Sequence, residues 1–139
     1  MNRTNNHILL IDDEHGPMDY FVEALKDEKF EVQQIDDTDT AWKIVTGQTK
    51  ISVPAVFIID VMMPYGSHLT ALETDDGLET GFHFIRACRA TFPGVPVVCL
   101  TNVNHSEQIK DNLQDVPHFA KYETAPSTLA SEVAKLLRS

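Results

Sequence analysis

The chain has 139 residues, the length of one ordinary domain, and 42% of them are hydrophobic, so it can bury a core and is not disordered by composition. Its net charge of −10 argues against nucleic acid or an anionic membrane as a partner, because both are bound through Lys and Arg. Cys88 and Cys99 stand in apolar runs without metal-ligand spacing, and we find no signal peptide or membrane-length apolar stretch, so a cytoplasmic protein with buried free thiols is expected.

Five short segments rich in apolar and β-branched residues predict the strands of a parallel sheet. In chain order they are His7–Ile11, Phe30–Ile35, Ala55–Ile59, Val95–Leu100 and His118–Tyr122. The first, third and fourth are apolar throughout, as strands covered by helices on both faces should be. The second is weaker, and only Phe30, Val32 and Ile35 are expected to point inward.

Apolar residues at helical spacing separate these strands. The predicted helices contain Met18–Leu25, Ala41–Val45, Phe82–Arg89, Ile109–Leu113 and Leu129–Leu137. Thr38 or Thr40 is expected to cap the second helix, and Thr124 or Ser127 the last.

Alternating strands and helices predict an α/β fold with a doubly wound, five-stranded parallel sheet. Five such units in this length suit a flavodoxin-like (βα)5 topology with strand order 2-1-3-4-5. No repeat, linker or second domain is evident, so residues 1–139 are predicted to form a single domain with no output domain.

The segment Tyr65–Thr80 breaks this rhythm, because it is polar, acidic and longer than the usual connections of about 2–6 residues in α/β units. Without an apolar run longer than two residues it is expected to be mobile. We interpret it as a tolerated insertion, or as a gating or partner-recognition loop carrying the acidic residues Glu73, Asp75, Asp76 and Glu79.

Residues capable of chemistry follow the carboxyl ends of the predicted strands, the edge at which parallel α/β sheets bind ligands. They are Asp12, Asp13, Glu14, Asp60, Thr101, Asn102 and Lys121. Crowded carboxylates repel unless a cation lies between them, and Mg²⁺ prefers oxygen ligands. Asp60 is then placed to accept a phosphoryl group, with the metal and Lys121 neutralising its charge and Thr101 donating a hydrogen bond.

This set of residues resembles the receiver domain of two-component response regulators: Asp12 and Asp13 follow ILLI, Asp60 stands in FIIDVMMP, Thr101 in VVCLTN and Lys121 in HFAKY. The resemblance covers almost the whole chain. It implies a phosphorylation-dependent signalling switch of a two-component or phosphorelay system, a regulatory protein rather than an enzyme. Its partners would be a histidine kinase or phosphotransfer protein, which supplies the phosphoryl group, and a downstream target protein.

The resemblance also implies a role for each matching residue. Asp60 would be the phosphoacceptor, and Mg²⁺ would be held by Asp12, Asp13, Asp60 and the backbone carbonyl of Met62. Thr101 and Lys121 would stabilise the phosphoryl group and act in switching, and His118 stands where the family usually carries a switch aromatic. The signal would leave through the surface formed by the fourth helix, fifth strand and fifth helix.

The chain departs from the family pattern at three places. Tyr122 follows Lys121, where the family usually has a proline in a cis peptide; a trans bond there is expected to move the Lys121 ammonium away from Asp60. Asn102 follows Thr101, where a smaller residue is commoner. The Tyr65–Thr80 segment carries roughly a dozen extra residues, more than compact connections use.

Three other functional classes remain as alternatives. A pseudo-receiver would keep the fold as a binding module without using the phosphosite, which the altered switch residues favour. A haloacid-dehalogenase-type hydrolase also uses an aspartate nucleophile, but it needs a second aspartate where this chain has Met62. A nucleotide-binding protein lacks support because no Gly-rich phosphate loop is present.

Overall fold

The structure is a computed structural model that describes residues 5–101 and 115–138, with Thr101 described through its backbone. In this part of the chain the strands are β1 (His7–Ile11), β2 (Glu31–Ile35), β3 (Val56–Asp60), β4 (Val97–Thr101) and β5 (His118–Ala120). The helices are α1 (Pro17–Asp27), α2 (Thr38–Val45), α3 (Ala71–Thr74), α4 (Thr80–Thr91) and α5 (Pro126–Arg138). The helix predicted at Ile109–Leu113 and the departure at Asn102 lie outside the described residues.

The five strands form one parallel sheet in the order β2-β1-β3-β4-β5, which confirms the predicted fold class and topology. β2 lies on one side of β1, and β3, β4 and β5 follow one another on its other side, so the strand order reverses between β1 and β3. In such sheets the crevice outside the carboxyl ends at this reversal is where ligands bind. The predicted strand boundaries differ from the observed ones by at most two residues.

Alternate residues of each central strand enter two separate cores, one on each face of the sheet. On one face Leu9, Phe57 and Ile59 pack with α2 and α4 residues, among them Phe84. On the other face Ile8 and Ile58 pack with residues of α1 and α5, namely Met18, Phe21, Leu25, Leu129 and Val133. Burial on both faces explains why β1 and β3 are continuously apolar rather than alternating.

Two helix starts differ from the sequence-based expectation. Asp37, not Thr38 or Thr40, caps α2, and its carboxylate accepts a hydrogen bond from the Thr40 backbone N–H at 2.9 Å. The last helix begins at Pro126, whose fixed φ and missing N–H suit a first turn, so Ser127 lies inside it. None of the helices in residues 5–101 and 115–138 is long and apolar enough to cross a membrane.

The acidic Tyr65–Thr80 segment is more structured than a plain loop. It contains α3, which begins with a capping box in which the Thr70 side chain and the Glu73 carboxylate satisfy each other's backbone N–H groups. Two of its threonines, Thr74 and Thr80, are fully buried. The Thr80 hydroxyl donates to the carbonyl of Met63 at 2.7 Å, which ties the end of the segment to the chain leaving β3.

Cys88 and Cys99 are buried free thiols, as predicted. Burial raises the pKa of the Cys88 thiol to about 12, and it raises the pKa of Cys99 as well. Both therefore stay protonated and unreactive near neutral pH, which is the behaviour of packing residues.

Candidate functional site

Three predicted carboxylates meet at the carboxyl ends of β1 and β3. Asp60 is the last residue of β3, and Asp12 and Asp13 directly follow β1. Carboxylate oxygens of the three residues lie within 4.8 Å of one another. Asp12 and Asp60 are buried, whereas Asp13 is exposed to solvent. The cluster lies at the reversal of the strand order, where the fold favours ligand binding.

The ammonium of Lys121 lies among these carboxylates, although it comes from the turn after β5. Its Nζ is 2.8 Å from Asp12 Oδ2, 3.2 Å from Asp60 Oδ2 and 3.0 Å from Glu14 Oε1. The side chain is only 4% exposed. Burial alone would lower the pKa of Lys121, but the charges of Asp60 and Asp12 raise it by more, so the lysine stays protonated near neutral pH.

The carboxylates are held in an environment that disfavours their charge. Burial, followed by the nearby charge of Asp12, raises the pKa of Asp60 to about 7, against the opposing effect of Lys121. Burial also raises the pKa of Asp12, again opposed by Lys121. One ammonium therefore compensates the buried carboxylates incompletely, and the site favours additional positive charge.

Local hydrogen bonds fix the acidic residues in position. The Asp12 Oδ1 accepts the backbone N–H of Glu14 at 2.9 Å, and the Gln34 amide of β2 donates to the carbonyls of Asp12 and Glu14 at 2.8 and 2.6 Å. At the other strand the backbone N–H of Met62 donates to Asp60 Oδ1 at 3.4 Å. Sequence reasoning missed Gln34, because a glutamine in a weak strand carries no motif that marks it.

A divalent cation fits the donor set on chemical grounds. Asp12 Oδ2 is buried, and within the described chain its one partner is the Lys121 ammonium, in an ion pair that lacks the angular geometry of a hydrogen bond. Carboxylate oxygens are the ligands that Mg²⁺ prefers, and the exposed Asp13 leaves a path to solvent. Asp12, Asp13 and Asp60 are therefore the residues that would hold the ion.

The other predicted site residues are placed less closely. Thr101 ends β4 beside β3, and its side chain lies outside the described part of the structure. Met62 lies two residues after Asp60 with an exposed side chain, and its carbonyl stays a predicted ligand. The His118 side chain is exposed on β5, with Nδ1 3.5 Å from the carbonyl of Val116.

The acidic residues of the Tyr65–Thr80 segment are not part of the carboxylate cluster formed by Asp12, Asp13 and Asp60. Glu73 caps α3, and Asp75 and Asp76 have left-handed backbone conformations with φ of 51° and 57°. Glu79 immediately precedes α4. The mobility of this segment and its gating or recognition role stay predictions.

The Lys121–Tyr122 peptide bond is trans, since the described residues contain no cis peptide. The expectation that a trans bond would draw the ammonium away from Asp60 is wrong, because Nζ remains 3.2 Å from Asp60 Oδ2. The long lysine side chain reaches the site from the turn. Tyr122 instead folds back, and its hydroxyl lies 2.8 and 3.0 Å from the two carboxylate oxygens of Glu14.

Gly81 brings the start of α4 against the end of β3. A Cβ at this position would overlap the backbone oxygen of Asp60 and the Cα of Val61, neither of which can move without shifting the site.

Gly81→Ala is expected to lower the free energy of unfolding by about 1–3 kcal/mol, as overpacking does. Urea denaturation measures the loss. The control Gly94→Ala should change little, since its Cβ meets nothing within 4 Å, and an equal loss in both variants would contradict this account.

A parallel sheet whose strand order reverses between β1 and β3, with buried carboxylates and a lysine at the reversal, defines a flavodoxin-like α/β protein with an acidic rim. A family model of the response regulator receiver domain matches residues 8–116, and the chain belongs to this family. No curated protein sequence matches it.

Solved structures of receiver proteins share the fold. A structure described as the BeF3 activated DrrB receiver domain is 17% identical, with a TM-score of 0.72, and the match covers 98% of this chain and 100% of that one. A receiver protein from Sinorhizobium medicae WSM419 is 19% identical, with a TM-score of 0.73 and coverage of 98% and 97%. A CheY-like receiver from Methanospirillum hungatei JF-1 is 16% identical, with a TM-score of 0.70 and coverage of 97% and 95%.

Proposed function

We propose that this receiver domain is a cytoplasmic, phosphorylation-dependent switch that accepts a phosphoryl group on Asp60 from a histidine kinase or phosphotransfer protein. It then signals by binding a downstream target protein and is not an enzyme for other substrates. The observation that carries the proposal is the buried Asp60 carboxylate, 3.2 Å from the Lys121 ammonium and beside Asp12 and Asp13. Neither nucleic acid nor a membrane is part of the proposal, because the chain is strongly acidic.

The proposed reaction is an in-line displacement at phosphorus. A carboxylate oxygen of Asp60 attacks the phosphorus, a P–O bond forms, and the P–N bond to the donor histidine breaks, leaving its electron pair on the imidazole nitrogen, which takes up a proton. The Lys121 ammonium, which contacts the carboxylate before the reaction, would contact the phosphoryl oxygens after it and compensate their negative charge. The Thr101 hydroxyl would donate a hydrogen bond to one of these oxygens. Mg²⁺, held by Asp12, Asp13 and Asp60, supplies further positive charge when bound.

The signal would end when the acyl phosphate is hydrolysed. Water attacks the phosphorus, the P–O bond to Asp60 breaks, and inorganic phosphate leaves while the carboxylate is restored. Burial of Asp60 limits the access of water, so the lifetime of the phosphorylated state depends on the groups that contact the phosphoryl oxygens. Lys121 is the described residue best placed to control it.

The raised pKa of Asp60 supports this use of the site. A carboxylate that stays partly protonated near pH 7 is destabilised as an anion and gains from a cation or from transfer of its charge to a phosphoryl group. A pseudo-receiver, which keeps the fold as a binding module without using the phosphosite, stays the alternative. Binding of the partner protein by the unphosphorylated chain, without any phosphorylation of Asp60, would distinguish the pseudo-receiver from the proposed switch.

Intact-mass measurement after incubation with a small phosphodonor tests the proposal. With Mg²⁺ present the protein should gain about 80 Da, the mass of one added phosphoryl group, and with a chelator present it should gain none. The absence of this adduct under all conditions would favour the pseudo-receiver.

Magnesium is expected to raise the melting temperature, because it binds the folded carboxylate cluster and not the unfolded chain. Asp13→Asn should reduce this Mg²⁺-dependent rise, since one ligand is lost, while the metal-free variant melts at or slightly above the parent because one repelling charge is gone. The exposed Asp27 at the end of α1 provides a control, and Asp27→Asn should keep the full rise. A metal-free Asp13→Asn protein that melts clearly lower than the parent would contradict the like-charge argument.

The Tyr65–Thr80 segment is proposed to act in gating or partner recognition. Its α3 carries Leu72, whose side chain is 94% exposed, next to the acidic residues of the segment. Replacing residues 67–76 by a short Gly-containing turn separates the two roles. Faster reaction with a small phosphodonor would support gating, unchanged small-donor reaction with lost transfer from the kinase would support recognition, and no change in either would leave a tolerated insertion.

A further inference from the structure

We propose that Glu14 and Tyr122 form a latch that competes with the phosphoryl group for Lys121. The proposal rests on the function proposed above, because Lys121 must leave its present partners to contact a phosphoryl oxygen. Both latch residues are positioning residues: Tyr122 acts through Glu14, and Glu14 acts through Lys121. The latch would reduce the stability of the phosphorylated state and release Tyr122 when that state forms.

The contacts connect the three residues in series. The Tyr122 hydroxyl is 2.8 Å from Glu14 Oε1 and 3.0 Å from Oε2, so it bridges both oxygens of the carboxylate. Glu14 Oε1 in turn accepts a hydrogen bond from Lys121 Nζ at 3.0 Å. The Lys121 ammonium also lies 5.6 Å above the centre of the Tyr122 ring. Lys121 thus has three carboxylate partners and only three N–H donors.

Among the three carboxylate partners of Lys121, Glu14 is the one whose contact depends on another residue, Tyr122. Its side chain is 42% exposed, and exposed ion pairs of long side chains contribute little because water screens them and the side chains lose rotamer freedom. The second anchor from Tyr122 holds the carboxylate in place and lowers that entropic cost. The consequence is a Glu14–Lys121 contact that is occupied more of the time than an exposed pair alone would be.

Phosphorylation changes this balance. A phosphoryl group on Asp60 adds negative charge and acceptor oxygens next to Lys121. The ammonium then has a stronger partner, the Glu14 contact is weakened, and Tyr122, which is 65% exposed, is free to turn into solvent. In this way phosphorylation of Asp60 changes the contacts of Tyr122, at the start of the turn that leads into α5.

Beryllofluoride binding in the presence of Mg²⁺ tests the latch, because this anion mimics a phosphoryl group on a carboxylate. Tyr122→Phe should bind it about two- to fivefold more tightly, the range set by the strength of an exposed ion pair. Glu14→Leu should also bind it more tightly, but loss of any nearby negative charge has this effect. The diagnostic comparison is therefore Tyr122→Phe in the Glu14→Leu background, where residue 14 accepts no hydrogen bond from Tyr122 or Lys121 and the substitution should have no effect.

Tyr20 of α1 offers the matched control, since it is a similarly exposed tyrosine and Tyr20→Phe should leave the affinity unchanged. A second measurement follows the ring resonances of the three tyrosines by nuclear magnetic resonance. Beryllofluoride should shift the Tyr122 signal in the parent and much less in Glu14→Leu. A purely structural role of Tyr122 would not make its effect depend on Glu14.

The outcomes separate the latch from the proposed function. If the parent protein binds beryllofluoride and Tyr122→Phe binds it as tightly as the parent or more weakly, the latch is overturned and the proposed function is not. An effect of Tyr122→Phe that persists in the Glu14→Leu background overturns it as well. A parent protein that fails to bind beryllofluoride overturns the proposed function, and the latch with it.

Discussion

Asp60→Asn is expected to abolish the mass gain of about 80 Da that a small phosphodonor and Mg²⁺ produce in the parent protein. The amide of asparagine has the size of the carboxylate but is not a nucleophile, so no acyl phosphate can form. Asp60 is the one carboxylate of the cluster that ends a strand and faces both Lys121 and the Asp12–Asp13 pair. The expected result is loss of the adduct, not a slower reaction.

Two further variants make this result specific. Asp27→Asn makes the same chemical change at an exposed position at the end of α1 and should leave phosphorylation intact. Asp12→Asn keeps the nucleophile and removes a metal ligand, so it should slow the reaction without eliminating the adduct after long incubation. An adduct that persists in Asp60→Asn would mean that another residue is the phosphoacceptor.

The sheet and most of the site could be predicted from the sequence because their signals are local. Continuous apolar runs predicted β1 and β3, and the acidic residues that follow them could be assigned to one rim because parallel strands share a direction. The signal for α3 was also local, since Thr70 and Glu73 have the spacing of a capping box, but the polar surroundings concealed it.

The contacts of Glu14 and Tyr122 could not be predicted in the same way. The two residues are 108 positions apart, and their hydrogen bond depends on how the turn after β5 folds back over the rim. The sequence marked Tyr122 as a departure from the family pattern and suggested that it would displace Lys121. The length and flexibility of the lysine side chain instead allow Nζ to reach Asp60 from a trans peptide.

Replacement of Lys121 is expected to have the largest effect on stability. In Lys121→Met the apolar side chain keeps most of the volume, but the buried carboxylates of Asp12 and Asp60 lose the ammonium that lies 2.8 and 3.2 Å from them. Removing one partner from a buried ion pair costs about 3–5 kcal/mol, because a buried charge is left without compensation. Urea denaturation of the metal-free protein should show a loss of this order.

Lys135→Met is the matched control, since this lysine also contacts a carboxylate, that of Glu132 at 3.4 Å, but is 62% exposed. Its loss should stay within about 0.5 kcal/mol, as for other exposed pairs. Mg²⁺ should restore part of the stability of Lys121→Met, because a cation bound by the same carboxylates replaces the missing charge. Adding Asp12→Asn to Lys121→Met should restore stability as well, since it removes one of the uncompensated charges.

The loss in Lys121→Met should also depend on pH. Because burial raises the pKa of Asp60 to about 7, above its value in the unfolded chain, the folded state binds a proton more tightly than the unfolded state. The resulting stability is present at low pH and is lost as the pH rises through 7, and without Lys121 the pKa rises further and the loss grows. The difference between Lys121→Met and the parent should therefore be small near pH 5 and large near pH 8. A difference that is independent of pH would show that Lys121 stabilises the fold by packing and not by its charge.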